Sequence, residues 1–203
     1  MTAKGLASFL LRPLARTAGR LQLIKRAWAH AHLSGRLTMP VDDSVVILGV
    51  AEVHGTGRVH LGKDLFLYRD LYFETQGEGE IHVGDRVVIS RGVHVAAYSK
   101  VEVGAGSIIG EYTSIRDANH VFGAGQSMRT SGHRAAPIAI GKNAWIGRGV
   151  TILSGVVIGD NAVIGANAVV TRNVEAGSVA AGVPARPLRS ALQPKYPLPP
   201  AGS

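Results

Sequence analysis

The stretch that decides the fold is residues 137–174, PIAIGKNAWIGRGVTILSGVVIGDNAVIGANAVVTRNV. Within it an aliphatic residue recurs at every sixth position without a miss, at Ile140, Ile146, Ile152, Ile158, Ile164 and Val170. A small residue, Ala or Val, stands four positions after each of them, and Gly often follows the aliphatic residue directly. A period of six fits neither an amphipathic helix nor a long strand, but it fits a short strand and a corner, repeated.

Such a repeat predicts an all-β coil whose aliphatic side chains point into a narrow interior. Successive turns of the coil pair their strands in parallel, and each turn buries its core only against its neighbours. The composition agrees, because 26 Gly and only 5% aromatic residues suit a turn-rich scaffold better than a core of large side chains.

The same register extends upstream, with one break. It continues backwards through aliphatic residues at Val41, Ile47, Val53, Val59, Leu65, Leu71, Val83, Ile89 and Val95. Gly77 takes one of these positions, which predicts a degraded strand there. After two extra residues the register resumes at Val103, Ile109 and Ile115, and it then stops until Ile140. The interval predicts a polar, Gly-rich extruded loop near residues 121–137, where specificity usually resides.

The two ends of the chain differ from the coil. Residues 1–40 hold seven Lys or Arg and no acid, whereas the rest of the chain has a net charge of only +1. The basic balance therefore gives no reason to expect nucleic-acid binding by the main domain. The sequence predicts three parts: a basic helical arm (1–40), a β-helix domain (41–189) and a Pro-rich tail (190–203).

The arm has apolar residues at helical spacing, interrupted early by Pro13. Three interpretations stay open: a helix packed on the domain or on a neighbouring subunit, a basic amphipathic helix on an anionic membrane surface, and a disordered tail. Its apolar runs are too short to cross a bilayer. We expect a cytoplasmic protein, with peripheral contact at the inner face of the membrane as the alternative for the arm.

Three segments have a more specific pattern than the repeat: DANH at 117–120, the stretch 137–174, and AGVPARPLR at 181–189. In this order they resemble the hexapeptide-repeat acyltransferases, in particular the maltose and galactoside O-acetyltransferase group. The resemblance implies a left-handed parallel β-helix, a homotrimer, and acetyl-CoA bound as co-substrate in the cleft between adjacent subunits.

His120 matches the catalytic His of that family and is the expected general base, because its pKa lies near working pH. Asp117 and Asn119 flank it. For Asp117, two interpretations stay open: a residue that orients the imidazole or holds an acceptor hydroxyl, and a turn residue that caps its own backbone. His133, in the loop, is a candidate acceptor contact. The His residues inside the coil, at positions 54, 60, 82 and 94, are expected to be structural or at the surface.

The resemblance also implies the remaining site residues. Trp145 matches a Trp beside the thioester and the acceptor, and Ser90 and Tyr98 align with acceptor-binding positions. The small Ala166 lets the pantetheine arm of CoA lie close to the coil. Residues expected near the CoA nucleotide are Thr171, Arg172, Arg186 and Arg189.

The sequence therefore predicts an acetyl-CoA-dependent O-acetyltransferase that acts on a saccharide or glycoconjugate hydroxyl. The alternatives are transfer to an amine or of a longer acyl chain, and a non-catalytic β-helix scaffold. A zinc carbonic anhydrase on the same coil is disfavoured, because two His five residues apart do not occur. No metal is expected, and the absence of Cys excludes thiolate sites and a catalytic Cys.

Overall fold

The computed structural model describes residues 2–123 and 127–188 of the chain. Within these ranges it contains one α-helix, α1 (Ala3–Ser34), and 21 short strands. The strands stack as a left-handed parallel β-helix of about seven turns, as the sequence and the resemblance predicted. The Pro-rich tail and Arg189 lie outside the described residues.

Three sheets form the faces of the coil. The first face contains β1 (Val46–Ile47), β4 (Phe66–Leu67), β7 (Val88–Ile89), β10 (Ile108–Ile109), β15 (Trp145–Ile146), β18 (Val163–Ile164), β20 (Val179–Ala181) and β21 (Arg186–Pro187). The second contains β2 (Glu52–Gly55), β5 (Tyr72–Thr75), β8 (His94–Ala97), β11 (Ser114–Arg116), β16 (Thr151–Ile152) and β19 (Val169–Val170). The third contains β3 (Val59–Leu61), β6 (Glu80–Val83), β9 (Lys100–Val103), β14 (Ile138–Ile140) and β17 (Val157–Ile158).

All neighbours on these faces pair in parallel except β21, which returns antiparallel to β20. In the later turns each coil takes 18 residues, so Trp145 pairs with Val163 and Ile146 with Ile164. The inward aliphatic side chains form one continuous buried core. Burying each Ile or Val contributes about 1.5–3 kcal/mol, so the stack of such residues is the main source of stability.

The predicted register fails in the first turns. Ile47 pairs with Leu67, not with Leu65, because the first coil takes 20 residues from Val46 to Phe66. The two extra residues lie on the third face, where β6 places both Ile81 and Val83 inward. Leu65 and Leu71 are buried, but they stand two positions before the inward residue of a strand rather than at that residue.

Gly77 does not mark a degraded strand. It lies in a turn between β5 and β6, closed by a hydrogen bond from Gly79 N to Gln76 O of 2.9 Å. Its φ of +57° is in the left-handed region, which Gly adopts at little cost. This turn lengthens the coil further, so Phe66 pairs with Val88, 22 residues later.

Helix α1 begins at the N-cap Thr2, whose side chain accepts from Gly5 N, and runs without a break through Pro13, contrary to the predicted early interruption. Its last turns cover the open end of the coil, where Ala29 and Leu33 are buried in the core. Ser34 Oγ accepts a hydrogen bond from Val41 N at 3.1 Å, which fixes the entry into the first turn.

The middle of α1 exposes large apolar side chains, among them Leu21, Ile24 and Trp28. Spacings of three and four residues place these side chains on one side of the helix. Searching the described residues for a helix of the length and apolarity needed to cross a membrane gives none.

The predicted extruded loop is a hairpin with an ordered base. Strands β12 (Ala118–His120) and β13 (His133–Ala135) pair antiparallel, with His120 opposite His133. The hairpin leaves the coil between the second and the third face, and β14 then resumes the third face.

Candidate active site

The base of the hairpin is held from both sides along the coil. Asp117 accepts backbone N–H bonds from Tyr98 (2.8 Å) and Ser99 (2.7 Å) of the preceding turn. On the other side, Ser154 Oγ donates to Asp117 O at 2.6 Å and accepts from Ala136 N at 3.1 Å. Because both strands of the hairpin are tied to neighbouring turns, the backbone at His120 has a fixed position.

For Asp117 the geometry corrects the acceptor-binding prediction. The residue is fully buried, and its two carboxylate oxygens are both used by backbone donors. It caps the backbone of the preceding turn, not its own, so the turn interpretation is also only partly right. Its effect on His120 is indirect, through the position of β12.

His120 lies exposed at the end of β12, and its ring packs on that of His133 with centroids 4.2 Å apart. His133 in turn contacts the ring of Tyr98 at 4.5 Å. Three residues predicted from separate segments are thus in one row of rings. Burial is the main cause, and Glu74 the next, of a raised pKa for the Tyr98 phenol, which keeps it a neutral hydrogen-bond donor.

A surface hollow opens beside His120. It is lined by residues of the hairpin and of the next turn: Asn119, His120, Val121, Phe122, Arg134, Ala136 and Ser154. Phe122 is 83% exposed, so a large apolar side chain stands free next to the candidate base. Asn119 is exposed and reaches this hollow, as expected for an acceptor contact.

Glu74 is a polar group that sequence reasoning missed. Its carboxylate accepts from Gln76 Nε2 at 3.2 Å and from the hydroxyls of Tyr72 and Tyr98 at 3.5 Å. The only signal in the sequence is alternation along the strand, since Tyr72 and Glu74 point outward while Phe73 is buried. That alternation marks an outward face but does not distinguish a site from ordinary surface.

Trp145, Ala166 and Ser90 lie together elsewhere, in a groove along the first face. Trp145 is 57% exposed and heads β15, and Ala166 follows β18 at the next corner. The floor of the groove is made of Gly and aliphatic residues, with Glu111 and Arg148 as its charged members. A narrow flexible chain such as pantetheine fits a groove without bulky side chains.

A third hollow lies at the end of the coil and includes Arg172 and Arg186. Both are exposed, and Arg186 Nη1 donates to Ala185 O at 2.9 Å. Two guanidinium groups in one hollow suit a phosphate. Thr171 is exposed beside Arg172 but is not part of the lining, and the prediction for Arg189 falls outside the described residues.

One chain therefore presents three separate groups of predicted residues: His120 with its neighbours, the Trp145 groove, and the Arg172–Arg186 hollow. His120 lies between the second and third faces, whereas Trp145 lies on the first. A site that uses all three groups needs a second copy of the chain.

Among the described residues, one group has the geometry to hold a metal ion: His60, Glu80 and His82, with ligand atoms within 4.8 Å of one another. His82 Nε2 and Glu80 Oε2 are 2.8 Å apart, and their interaction is the main cause of a lowered pKa for Glu80. The group lies on the outer surface of the third face, outside the hollow at His120.

The profile of the bacterial transferase hexapeptide family (six repeats) matches residues 137–172. The chain belongs to the hexapeptide-repeat family. The sequence matches no curated protein.

Among solved structures, this hexapeptide-repeat protein is similar to AntD, an N-acyltransferase from Bacillus cereus solved with dTDP and 3-hydroxybutyryl-CoA. The TM-score is 0.64 at 18% identity, over 74% of this chain and 81% of that one. A maltose O-acetyltransferase from Clostridium difficile 630 matches at TM-score 0.52 and 24% identity, over 83% and 87% of the two chains. PerB from Caulobacter crescentus, solved with CoA and GDP-perosamine, matches at 0.54 and 22%, over 71% and 57%. At these identities the likeness shows the fold.

Proposed function

We propose that this protein is a CoA-dependent acyltransferase that transfers the acetyl group of acetyl-CoA to a hydroxyl of a saccharide, with His120 as general base. The observation that carries the proposal is the exposed His120 on a hairpin tied to both neighbouring turns, beside an open hollow. The family profile, which describes transferases, and the CoA-bound and sugar-acyltransferase neighbours support the same class.

The chemistry needs one proton acceptor. The neutral imidazole of His120 takes the proton of the attacking hydroxyl while its oxygen bonds to the thioester carbonyl carbon. The carbon–sulfur bond then breaks, and the imidazolium returns the proton to the CoA thiolate. The products are an acetyl ester and free CoA, and the ring contact with His133 keeps the imidazole oriented through both steps.

In this proposal two subunits of a homotrimer form each site. One subunit supplies His120, and its neighbour supplies the Trp145 groove for the pantetheine arm and the Arg172–Arg186 hollow for the nucleotide phosphates. The separation of these groups within one chain supports the arrangement.

Binding of CoA tests the proposal first. A ligand that binds only the folded state raises its stability, by about 2.7 kcal/mol at a hundred times Kd. We expect CoA to raise Tm and Arg172→Gln/Arg186→Gln to remove most of that rise. The matched control, Lys63→Gln/Lys142→Gln, removes the same charge at exposed corners outside the hollow. An unchanged Tm with millimolar CoA would contradict the proposal.

Transfer to an amine is the second candidate, because AntD is an N-acyltransferase. The same base can deprotonate an attacking ammonium, so the geometry at His120 serves both reactions. Mild hydroxylamine distinguishes them: it cleaves an acetyl ester and leaves an amide intact.

A further inference from the structure

The outer surface of the second face has a row of aromatic and acidic side chains in its first three turns. We call it the aromatic patch and define it by His54, Tyr72, Glu74, His94 and Tyr98. The rings are in contact: His54 and Tyr72 stack with centroids 4.8 Å apart, and His94 meets Tyr72 edge-on at 4.4 Å. The patch crosses strands β2, β5 and β8, which pair in register.

The patch is continuous with the candidate catalytic residue. Tyr98, at its edge, contacts His133, and His133 packs on His120. A row of rings therefore runs from His54 to His120 with no centroid gap above 4.8 Å except where Glu74 connects Tyr72 to Tyr98 through their hydroxyls. The other predicted residues of the groove and the terminal hollow have no such contact with the patch.

Glu74 has hydrogen-bonding capacity left over. Two of its three bonds, those from the tyrosine hydroxyls, are 3.5 Å long and thus at the limit of a hydrogen bond. Within the described residues, it makes no salt bridge with Lys or Arg. An ionised carboxylate offers about four acceptor sites, so Glu74 can accept from a ligand hydroxyl as well.

His94 adds a second unmet polar group. Its Nε2 atom is buried and has no hydrogen-bond partner among the described residues. Buried polar atoms are paired in most native structures, so an unpaired one beside an exposed carboxylate and two phenols suggests that a ligand supplies the partner.

We propose that the aromatic patch binds sugar units adjacent to the one acetylated at His120, so that the acceptor is an oligosaccharide or polysaccharide chain rather than a free monosaccharide. This inference rests on the proposed function. Three neighbouring strands span about 10 Å at about 4.8 Å each, which together with the contacts to His120 exceeds the reach of one sugar ring. Aromatic faces cover the apolar faces of sugar rings, while a carboxylate and phenols satisfy their hydroxyls.

The patch fits a hydroxylated chain better than a second copy of this protein. Every member has a polar tip, and the aliphatic side chains that dominate subunit interfaces are missing from its five defining residues. Its charges are mixed, with Glu74 facing the field of Arg116, so no strongly charged partner is indicated.

The test compares glucose, galactose and N-acetylglucosamine with their trisaccharides as acceptors, reading thiol release from acetyl-CoA by the full-length protein. We expect the trisaccharide of the accepted sugar to have at least a tenfold higher kcat/KM. Tyr72→Ala and Glu74→Gln should each lower kcat/KM for the trisaccharide about tenfold and leave that for the monosaccharide unchanged. The matched control is His60→Ala, which removes a stacked ring from the outer surface of the third face.

Equal kcat/KM for monosaccharide and trisaccharide would overturn the inference, and so would a Tyr72→Ala variant with an unchanged ratio. Dissociation of the oligomer in Tyr72→Ala, measured by light scattering, would show a subunit interface instead and also overturn it. If no sugar is acetylated, the inference fails together with the saccharide acceptor. The rise in Tm with CoA then decides separately whether the acyltransferase class survives.

Discussion

Asp117 is the residue on which the position of His120 depends. Its buried carboxylate accepts N–H bonds from Tyr98 and Ser99, and it has no other role within reach. Asp117→Asn leaves one of those donors facing an amide NH2 group, and an unpaired buried donor costs about 1–3 kcal/mol. We expect the free energy of unfolding in urea to fall by about 2 kcal/mol.

Asp160→Asn is the control for this substitution. Asp160 also accepts a backbone N–H, from Lys142 at 2.7 Å, but it is exposed, so the loss should be within about 0.5 kcal/mol. If Asp117→Asn is as stable as the wild type yet inactive, the carboxylate takes part in the chemistry and our structural assignment is wrong.

His94 predicts a pH effect on stability. Burial is the main cause of its lowered pKa, with the nearby Arg116 acting in the same direction. Because the folded state disfavours the charged imidazole, the unfolded state binds more protons as pH falls below the ordinary His value, and stability is lost. We expect His94→Gln to reduce the fall in unfolding midpoint between pH 7.5 and 5.5. An identical pH profile for His94→Gln and wild type would contradict the assignment.

At the scale of elements, the later turns were predictable and the first turns were not. From Ile140 onward each coil takes 18 residues, so one inward residue per strand gives an unbroken period of six. In the first turns the third-face strands bury two residues each, such as Ile81 and Val83, and the period is lost. Since Leu65 and Leu67 are both aliphatic and both buried, hydrophobicity alone cannot tell which one heads the inward row.

The candidate site shows the same division. DANH at 117–120 located His120 because the motif lies within four consecutive residues. Ser154 and Glu74 could not be found, because they meet the hairpin only after the chain has coiled through a further turn or from an earlier one. Pairing in the coil, which joins residues about twenty apart, is what brings them there.

Helix α1 gives a prediction at this scale. Leu33 is fully buried at the end of the coil, whereas Trp28, one and a half turns earlier, is 65% exposed. Leu33→Ala should lower the free energy of unfolding by about 3 kcal/mol, because it leaves a cavity in the core. Trp28→Ala should change it by less than about 0.5 kcal/mol. Urea unfolding measures both, and equal effects would show that α1 does not cover the core as described.

For the whole molecule, the separation of His120 from Trp145 leads to a complementation experiment. His120→Ala and Trp145→Ala subunits should each be nearly inactive alone. Unfolded together and refolded as mixed trimers, they should regain about a quarter of wild-type activity, since in a cyclic trimer a quarter of the interfaces pair an intact His with an intact Trp. No recovery in mixed trimers would place both residues of a site in one subunit.

The most direct test of the central claim is thiol release from acetyl-CoA in the presence of the saccharide panel, comparing the wild type with His120→Ala. General-base catalysis contributes about 10²–10⁴-fold, so the variant should lose at least a hundredfold in kcat while its Tm still rises with CoA. His60→Ala, which changes a His remote from the hollow, should keep full activity. Acetyl transfer by His120→Ala within tenfold of the wild type would contradict the account.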